Sequence, residues 1–189
     1  KLHIPTISSA GSVKLIADAK KKGLDVTCSV AVHNLFFSDE TLVGFDTHFK
    51  VSPPLRTKTD SKALIKGVKN GTIDFVTSDH IPMDIEHKRV EFDNAKSGSL
   101  GLESAFGSLN TIFELDETIT LLTKGRERYQ IDSPKLEEGA KACLTLFNPD
   151  GEYTFDTKHI LSTSKNSMFV GAELKGKVYG VINNNQSTL

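Results

Sequence analysis

Between Gly71 and Pro82 the chain reads Gly71-Thr72-Ile73-Asp74-Phe75-Val76-Thr77-Ser78-Asp79-His80-Ile81-Pro82, an apolar run that stops abruptly at a carboxylate and an imidazole. Residues 73–77 are mostly β-branched or aromatic, over a length that suits a short buried strand, which places Asp79 and His80 at its C-terminal lip. Parallel α/β barrels collect their chemistry at that lip. An Asp after a strand also serves as an ordinary turn or helix-cap residue, so the surroundings must decide between the two readings.

Those surroundings alternate between strand and helix. Lys1-Leu2-His3-Ile4-Pro5-Thr6-Ile7 reads as a strand, and residues 12–22 carry Val13, Leu15, Ile16 and Ala19 at helical spacing with a basic end that suits the helix dipole. Gly23 stops that helix, and residues 24–32 form a second strand ending at His33. A loop over 36–56 contains Pro53-Pro54, which can continue neither a helix nor an interior strand. Residues 61–69 form a short helix, and Asn70-Gly71 turns the chain into the Asp79 strand. This order predicts α/β architecture with parallel strands.

Beyond Asp79, residues 85–96 are charged and read as an exposed loop over the strand ends, and 100–115 are apolar at helical spacing. Glu103 falls in that helix's first turn, where a capping or dipole role competes with a functional one. From Leu136 the pattern becomes strand-like, with Asn148-Pro149-Asp150-Gly151 expected to turn the chain between strands. Residues 1–130 are therefore expected to form one α/β unit and residues 131–189 a small β region.

Net charge is −1, with 25% charged and 38% hydrophobic residues. There is no basic surplus to suggest nucleic acid as a partner. No apolar run approaches the ~20 residues needed to span a membrane, and no signal-peptide pattern opens the chain. Cys28 and Cys143 lie in apolar runs and are expected to be buried free thiols. These features fit a cytoplasmic protein.

Four segments carry a resemblance. Phe49-Lys50-Val51-Ser52-Pro53-Pro54-Leu55-Arg56, Thr77-Ser78-Asp79-His80-Ile81-Pro82, Gly98-Ser99-Leu100-Gly101-Leu102-Glu103 and Ser164-Lys165-Asn166-Ser167-Met168-Phe169-Val170-Gly171 resemble, in order and spacing, the C-terminal half of a dihydroorotase of the cyclic amidohydrolase group. The resemblance covers nearly the whole chain. It implies the C-terminal part of a (β/α)8 barrel with a small flanking β-sandwich, and a reversible ring closure of N-carbamoyl-L-aspartate to dihydroorotate. It also implies one or two Zn ions that lower the pKa of a bound water and polarise the ring carbonyl. Asp79 would be metal ligand and general base, His80 its supporting neighbour, and Ser52, Arg56, Met83 and Gly98 the substrate contacts. A small cyclic amide is the implied substrate, and a homo-oligomer, or assembly with aspartate transcarbamoylase, the implied association.

A complete barrel takes about 250 residues, so this chain would supply part of one. The family's first-strand His-x-His pair, its bridging Asp or carboxylated Lys and its fifth-strand His have no counterpart here, and the N-terminal half is expected to lie outside this chain. Several matched positions depart from the pattern. Thr6 stands where a zinc-binding His is expected, Asn34 replaces the second His of a pair, Ser52 replaces an Asn and Met83 replaces a His. A hydroxyl is a poor substitute for imidazole on zinc, and a thioether neither donates a hydrogen bond nor carries charge. These losses predict impaired dihydroorotase activity. The alternatives are a non-catalytic structural partner, or hydrolysis of a different cyclic amide.

Overall fold

The computed structural model describes residues 1–188. Three short strands, β1 (Leu2–Ile4), β2 (Val26–Ala31) and β3 (Phe75–Thr77), lie side by side in that order, and both pairings are parallel. The connections are helical: α1 (Ala10–Lys21) joins β1 to β2, while α2 (Val32–Phe36), two 3-10 turns and α3 (Lys58–Lys69) join β2 to β3.

Local chemistry fixes the ends of these helices. Ser9 caps α1 by accepting from the Ser12 amide at 3.2 Å, and Thr57 caps α3 by accepting from the Asp60 amide at 3.3 Å. Asp60 also accepts from the Ala10 amide at 2.9 Å, pinning the start of α1 to the start of α3. Gly23, at φ 74°, adopts the left-handed conformation needed just after α1. Asp74, a carboxylate inside the otherwise apolar run, pairs with Lys20 at 2.8 Å and accepts from the Cys28 amide at 2.8 Å, so its charge is satisfied.

Ile16, Cys28, Val30, Leu64, Val68 and Val76 are buried together between the sheet and the α1–α3 pair. The other face of the sheet carries His3, whose ring lies 4.9 Å from Phe75 and within 9° of parallel to it, with Nδ1 3.0 Å from Thr27 and Nε2 3.2 Å from Ser29. Both His3 nitrogens are therefore occupied in holding β1 to β2.

After β3 come α4 (Leu102–Ile112), α5 (Leu115–Thr123) and α6 (Gly125–Tyr129), then the strands β4 (Cys143–Thr154), β5 (Glu173–Asn183) and β6 (Gln186–Thr188) in one antiparallel sheet. The apolar segment expected as one helix over 100–115 is two, broken at Phe113 and Glu114, whose extended backbone ends one helix and starts the next. The Asn148–Gly151 turn expectation is also corrected. β4 runs straight through it, and the register with β5 shifts between Asn148 and Glu152, so the extra residues form a bulge. The Pro149 carbonyl instead accepts from Asn110 Nδ2 at 2.8 Å, tying the bulge to α4. Cys28 is buried as expected, but Cys143, at the start of β4, is exposed; both are free thiols.

Candidate active site at the strand ends

The three strands end in the same way. Thr6, His33 and Asp79 each lie two residues beyond the last residue of β1, β2 and β3. Thr6 and Asp79 both have φ 46°, a left-handed conformation that costs a non-glycine residue roughly 1–2 kcal/mol and a β-branched one more. Such backbone is concentrated at functional sites, where the surroundings hold it in place.

His33 and Asp79 meet. Nε2 of His33 lies 3.8 Å from Oδ2 of Asp79, and neither atom has a hydrogen-bond partner. His33 is 2% exposed, and burial alone pushes its pKa down to about 4, so the ring is neutral at pH 7. Burial also raises the Asp79 carboxyl above the usual carboxylate range. A half-buried carboxyl whose Oδ2 has no hydrogen-bond partner, beside a buried imidazole nitrogen that also has none, is costly for stability and is an arrangement in which a proton can be taken up and released. The sequence singled out Asp79 but missed its pairing with His33. The only signal was that both follow strands predicted to be adjacent.

His80 does not support Asp79. Its Nδ1 accepts from the amides of Gly101 and Leu102, at 3.3 and 3.2 Å, and so caps the start of α4. Its Nε2 lies 3.4 Å from Ser162 Oγ, which in turn is 2.6 Å from Glu103 Oε1. Serine, histidine and glutamate thus lie together, but in the wrong order for nucleophilic catalysis. An Nδ1 that accepts backbone protons cannot donate one to an acid, and the Ser162 hydroxyl is committed to Glu103. The cluster fastens α4 to the 160–168 segment.

Of the sequence-predicted substrate contacts, Ser52 and Arg56 are exposed, and Arg56 Nε reaches Ser8 Oγ at 3.4 Å. Met83 and Gly98 are brought together. A Cβ on Gly98 would lie 3.1 Å from Met83 Cε and 2.7 Å from Ile81 Cγ2, and Gly98 has φ 148°, so only glycine fits there. Asn166 explains the Ser-Lys-Asn motif. Its Nδ2 donates to the carbonyls of Ile81 and Gly98, at 3.0 and 3.3 Å, and its Oδ1 accepts from the Met83 amide at 3.0 Å.

The donor set by itself does not suit zinc. Asp79 and His33 offer two inward-facing groups, Thr6 offers only a hydroxyl, and no group of three His, Cys, Asp or Glu side chains among the described residues is placed to hold a metal. A catalytic zinc normally takes three protein ligands, so these residues alone do not make up such a site. Among the described residues no helix is long and apolar enough to cross a membrane.

No protein-family model matches the chain. Over 186 residues, 94% of its length, it is 40% identical to a dihydroorotase of Caldanaerobacter subterraneus subsp. tengcongensis, and covers 43% of that protein. The chain thus spans under half the length of the curated relatives it matches. Among solved structures, the L-hydantoinase (dihydropyrimidinase) of Arthrobacter aurescens superposes with a TM-score of 0.88 at 24% identity, over 98% of this chain and 44% of that one. The inactive dihydroorotase-like domain of the Chaetomium thermophilum CAD-like multifunctional protein superposes at 0.69, also at 24% identity, over 99% of this chain and 50% of that one. Those likenesses establish the fold, an α/β arrangement shared with amidohydrolase barrels, and over nearly its whole length the chain is similar in sequence to proteins named dihydroorotase.

Proposed function

We propose that the chain is the C-terminal part of a dihydroorotase-type cyclic amidohydrolase, supplying three strands of its barrel and one layer of its flanking β-sandwich, with an impaired reaction centre. The observation that carries this reading is the placement of Asp79. It lies just past the end of a parallel strand, in left-handed backbone, with an unpaired buried oxygen facing a neutral imidazole. In ring hydrolysis a C–O bond forms from water to the ring carbonyl carbon and the C–N bond to the ring nitrogen breaks. Asp79 takes the proton of the attacking water and returns it to the departing nitrogen, and the reverse sequence closes N-carbamoyl-L-aspartate to dihydroorotate. His33, a buried imidazole 3.8 Å from Oδ2, covers one side of the carboxyl. Zinc, the group the resemblance implies, is not provided for by this chain's residues alone.

Thr6, Ser52 and Met83 support impairment. Each lost contact removes on the order of 1–3 kcal/mol of transition-state binding, and two such losses already mean a rate reduction of about thirtyfold or more. Dihydroorotate hydrolysis by the protein supplied with zinc is expected near background, and is expected to rise on joint replacement Thr6→His, Ser52→Asn and Met83→His. Robust turnover by the unaltered protein would defeat impairment. A second reading, a non-catalytic partner of aspartate transcarbamoylase, is favoured by the absence of a three-ligand cluster among the described residues and by the likeness to a domain named inactive. Co-purification with a transcarbamoylase, combined with no turnover by either version, would select it.

A further inference from the structure

Lys88 is 3% exposed, and among the described residues no carboxylate forms an ion pair with it. Its ammonium donates to three backbone carbonyls, Thr47 at 2.9 Å, Lys96 at 2.9 Å and Lys50 at 3.4 Å. Its own carbonyl accepts from Thr47 Oγ1 at 2.6 Å. Asp46, an acidic group whose charge acts on it, is hydrogen-bonded to His48 at 2.8 Å. An ammonium has three donors and no acceptor, and all three here are used on main chain.

The three carbonyls belong to two loops. One, residues 45–52, leads to Ser52; the other, residues 84–98, is bracketed by Met83 and Gly98. Further bonds link the same loops. Lys50 Nζ donates to the carbonyls of Phe92 and Asp93, at 2.7 and 2.9 Å, and the Gly98 amide donates to the Lys50 carbonyl at 2.9 Å. The Lys50 carbonyl therefore serves Lys88 and Gly98 at once.

We propose that Lys88 is a positioning residue, a buried ammonium tether that sets the spacing between the loop carrying Ser52 and the loop running from Met83 to Gly98. Loops of this kind are otherwise the least stable part of a fold, because they bury little apolar surface. Burial pushes the Lys88 pKa down to about 8, with Lys50 adding to the shift and Asp46 only partly opposing it, and the three carbonyls are what hold the ammonium in place. The tether stands on geometry alone. Its effect on substrate binding rests on the ring-hydrolase reading given above.

Hydrogen exchange resolved by segment, on the protein and on Lys88→Ala with and without propylammonium chloride, tests it. Propylammonium restores the atoms removed from the side chain, and tetramethylammonium, which has no N–H, is the control. Loss of the tether is expected to raise exchange in residues 45–52 and 84–98 together by roughly 10- to 100-fold, the range for a hydrogen bond to a charged group. Exchange in α3 should be unchanged, and propylammonium alone should restore protection. If the variant does not fold, Lys88→Met, which keeps the bulk of the side chain and removes all three donors, should loosen the same two segments together. Unchanged protection in both loops, loosening of only one, or no recovery with propylammonium would overturn the tether. Where the protein turns over dihydroorotate, Lys88→Ala should raise KM about tenfold with kcat little changed, and propylammonium should lower KM again. An inactive parent would count against catalysis and leave the exchange result to judge the tether by itself.

Discussion

Thr6 is held where a β-branched residue is least comfortable. Its φ of 46° matches that of Asp79, and its amide reaches Ser29 Oγ at 3.4 Å, an oxygen also shared with His3. Glycine reaches this backbone without the steric penalty, so Thr6→Gly is expected to stabilise the fold by about 1 kcal/mol despite glycine's larger unfolded-state entropy. Urea unfolding would show the midpoint move upward; a downward shift would mean that the Thr6 side chain contributes more than its backbone costs. His33 gives a pH prediction. Its folded pKa of about 4 lies below the unfolded value of 6.5, so between those values the unfolded chain binds the proton that the folded chain refuses. Stability is then fully present above pH 6.5 and falls by about 3 kcal/mol as the pH drops to 4. The raised Asp79 carboxyl acts in the opposite sense, so the measurement is a difference: the slope of stability against pH for the protein minus that for His33→Gln. Equal slopes would show that His33 is not the neutral buried ring described here.

At the level of elements, what was legible followed local rules. The helix over residues 12–22 and the strand ending at Thr77 were readable because helical periodicity, a stop glycine and a short apolar run act within a few residues. The bulge in β4 was not. Asn-Pro-Asp-Gly carries strong turn chemistry, and only the β5 partner and the Asn110 bond to Pro149 make it a bulge. The placement of His80 was likewise hidden, since its hydrogen bonds depend on where α4 begins. Gly101 shows how closely that helix approaches the strand end: a Cβ there would lie 1.9 Å from the Ser78 carbonyl oxygen. Asn166 closes the same junction. With the residue 3% exposed, its side chain satisfies three backbone groups that have no water to replace it. Asn166→Asp keeps the acceptor and removes both donors, leaving two carbonyls facing a buried charge, and is expected to cost about 3 kcal/mol or more. Thermal unfolding should register this as a clear drop in Tm, whereas a loss below ~1 kcal/mol would mean that the junction has other partners.

For the molecule as a whole, the distribution of groups among the strands decides what it can hold. A barrel's reaction centre draws its ligands from several strand ends around the ring, and each strand contributes one position at its lip. Here the three lips present a hydroxyl, an imidazole and a carboxylate, from Thr6, His33 and Asp79, and only the last two face each other as unpaired buried atoms. Two ligands hold zinc far less tightly than three, because each further protein donor replaces a water without a new loss of freedom. Zinc brought in by this chain should therefore exchange freely with a chelator. By linkage, a ligand at a hundred times its Kd stabilises the fold by about 2.7 kcal/mol, so micromolar zinc that binds weakly should leave Tm almost unmoved. Thr6→His adds an imidazole at the third lip, and is expected to convert that small response into a saturable rise in Tm that is lost again in the additional presence of Asp79→Asn. Metal analysis after dialysis against chelator, with Tm measured across a zinc titration, checks both statements. A stoichiometric, chelator-resistant zinc in the unaltered protein, abolished by Asp79→Asn, would show that His33 and Asp79 suffice and that the hydroxyl of Thr6 is no obstacle to a metal centre.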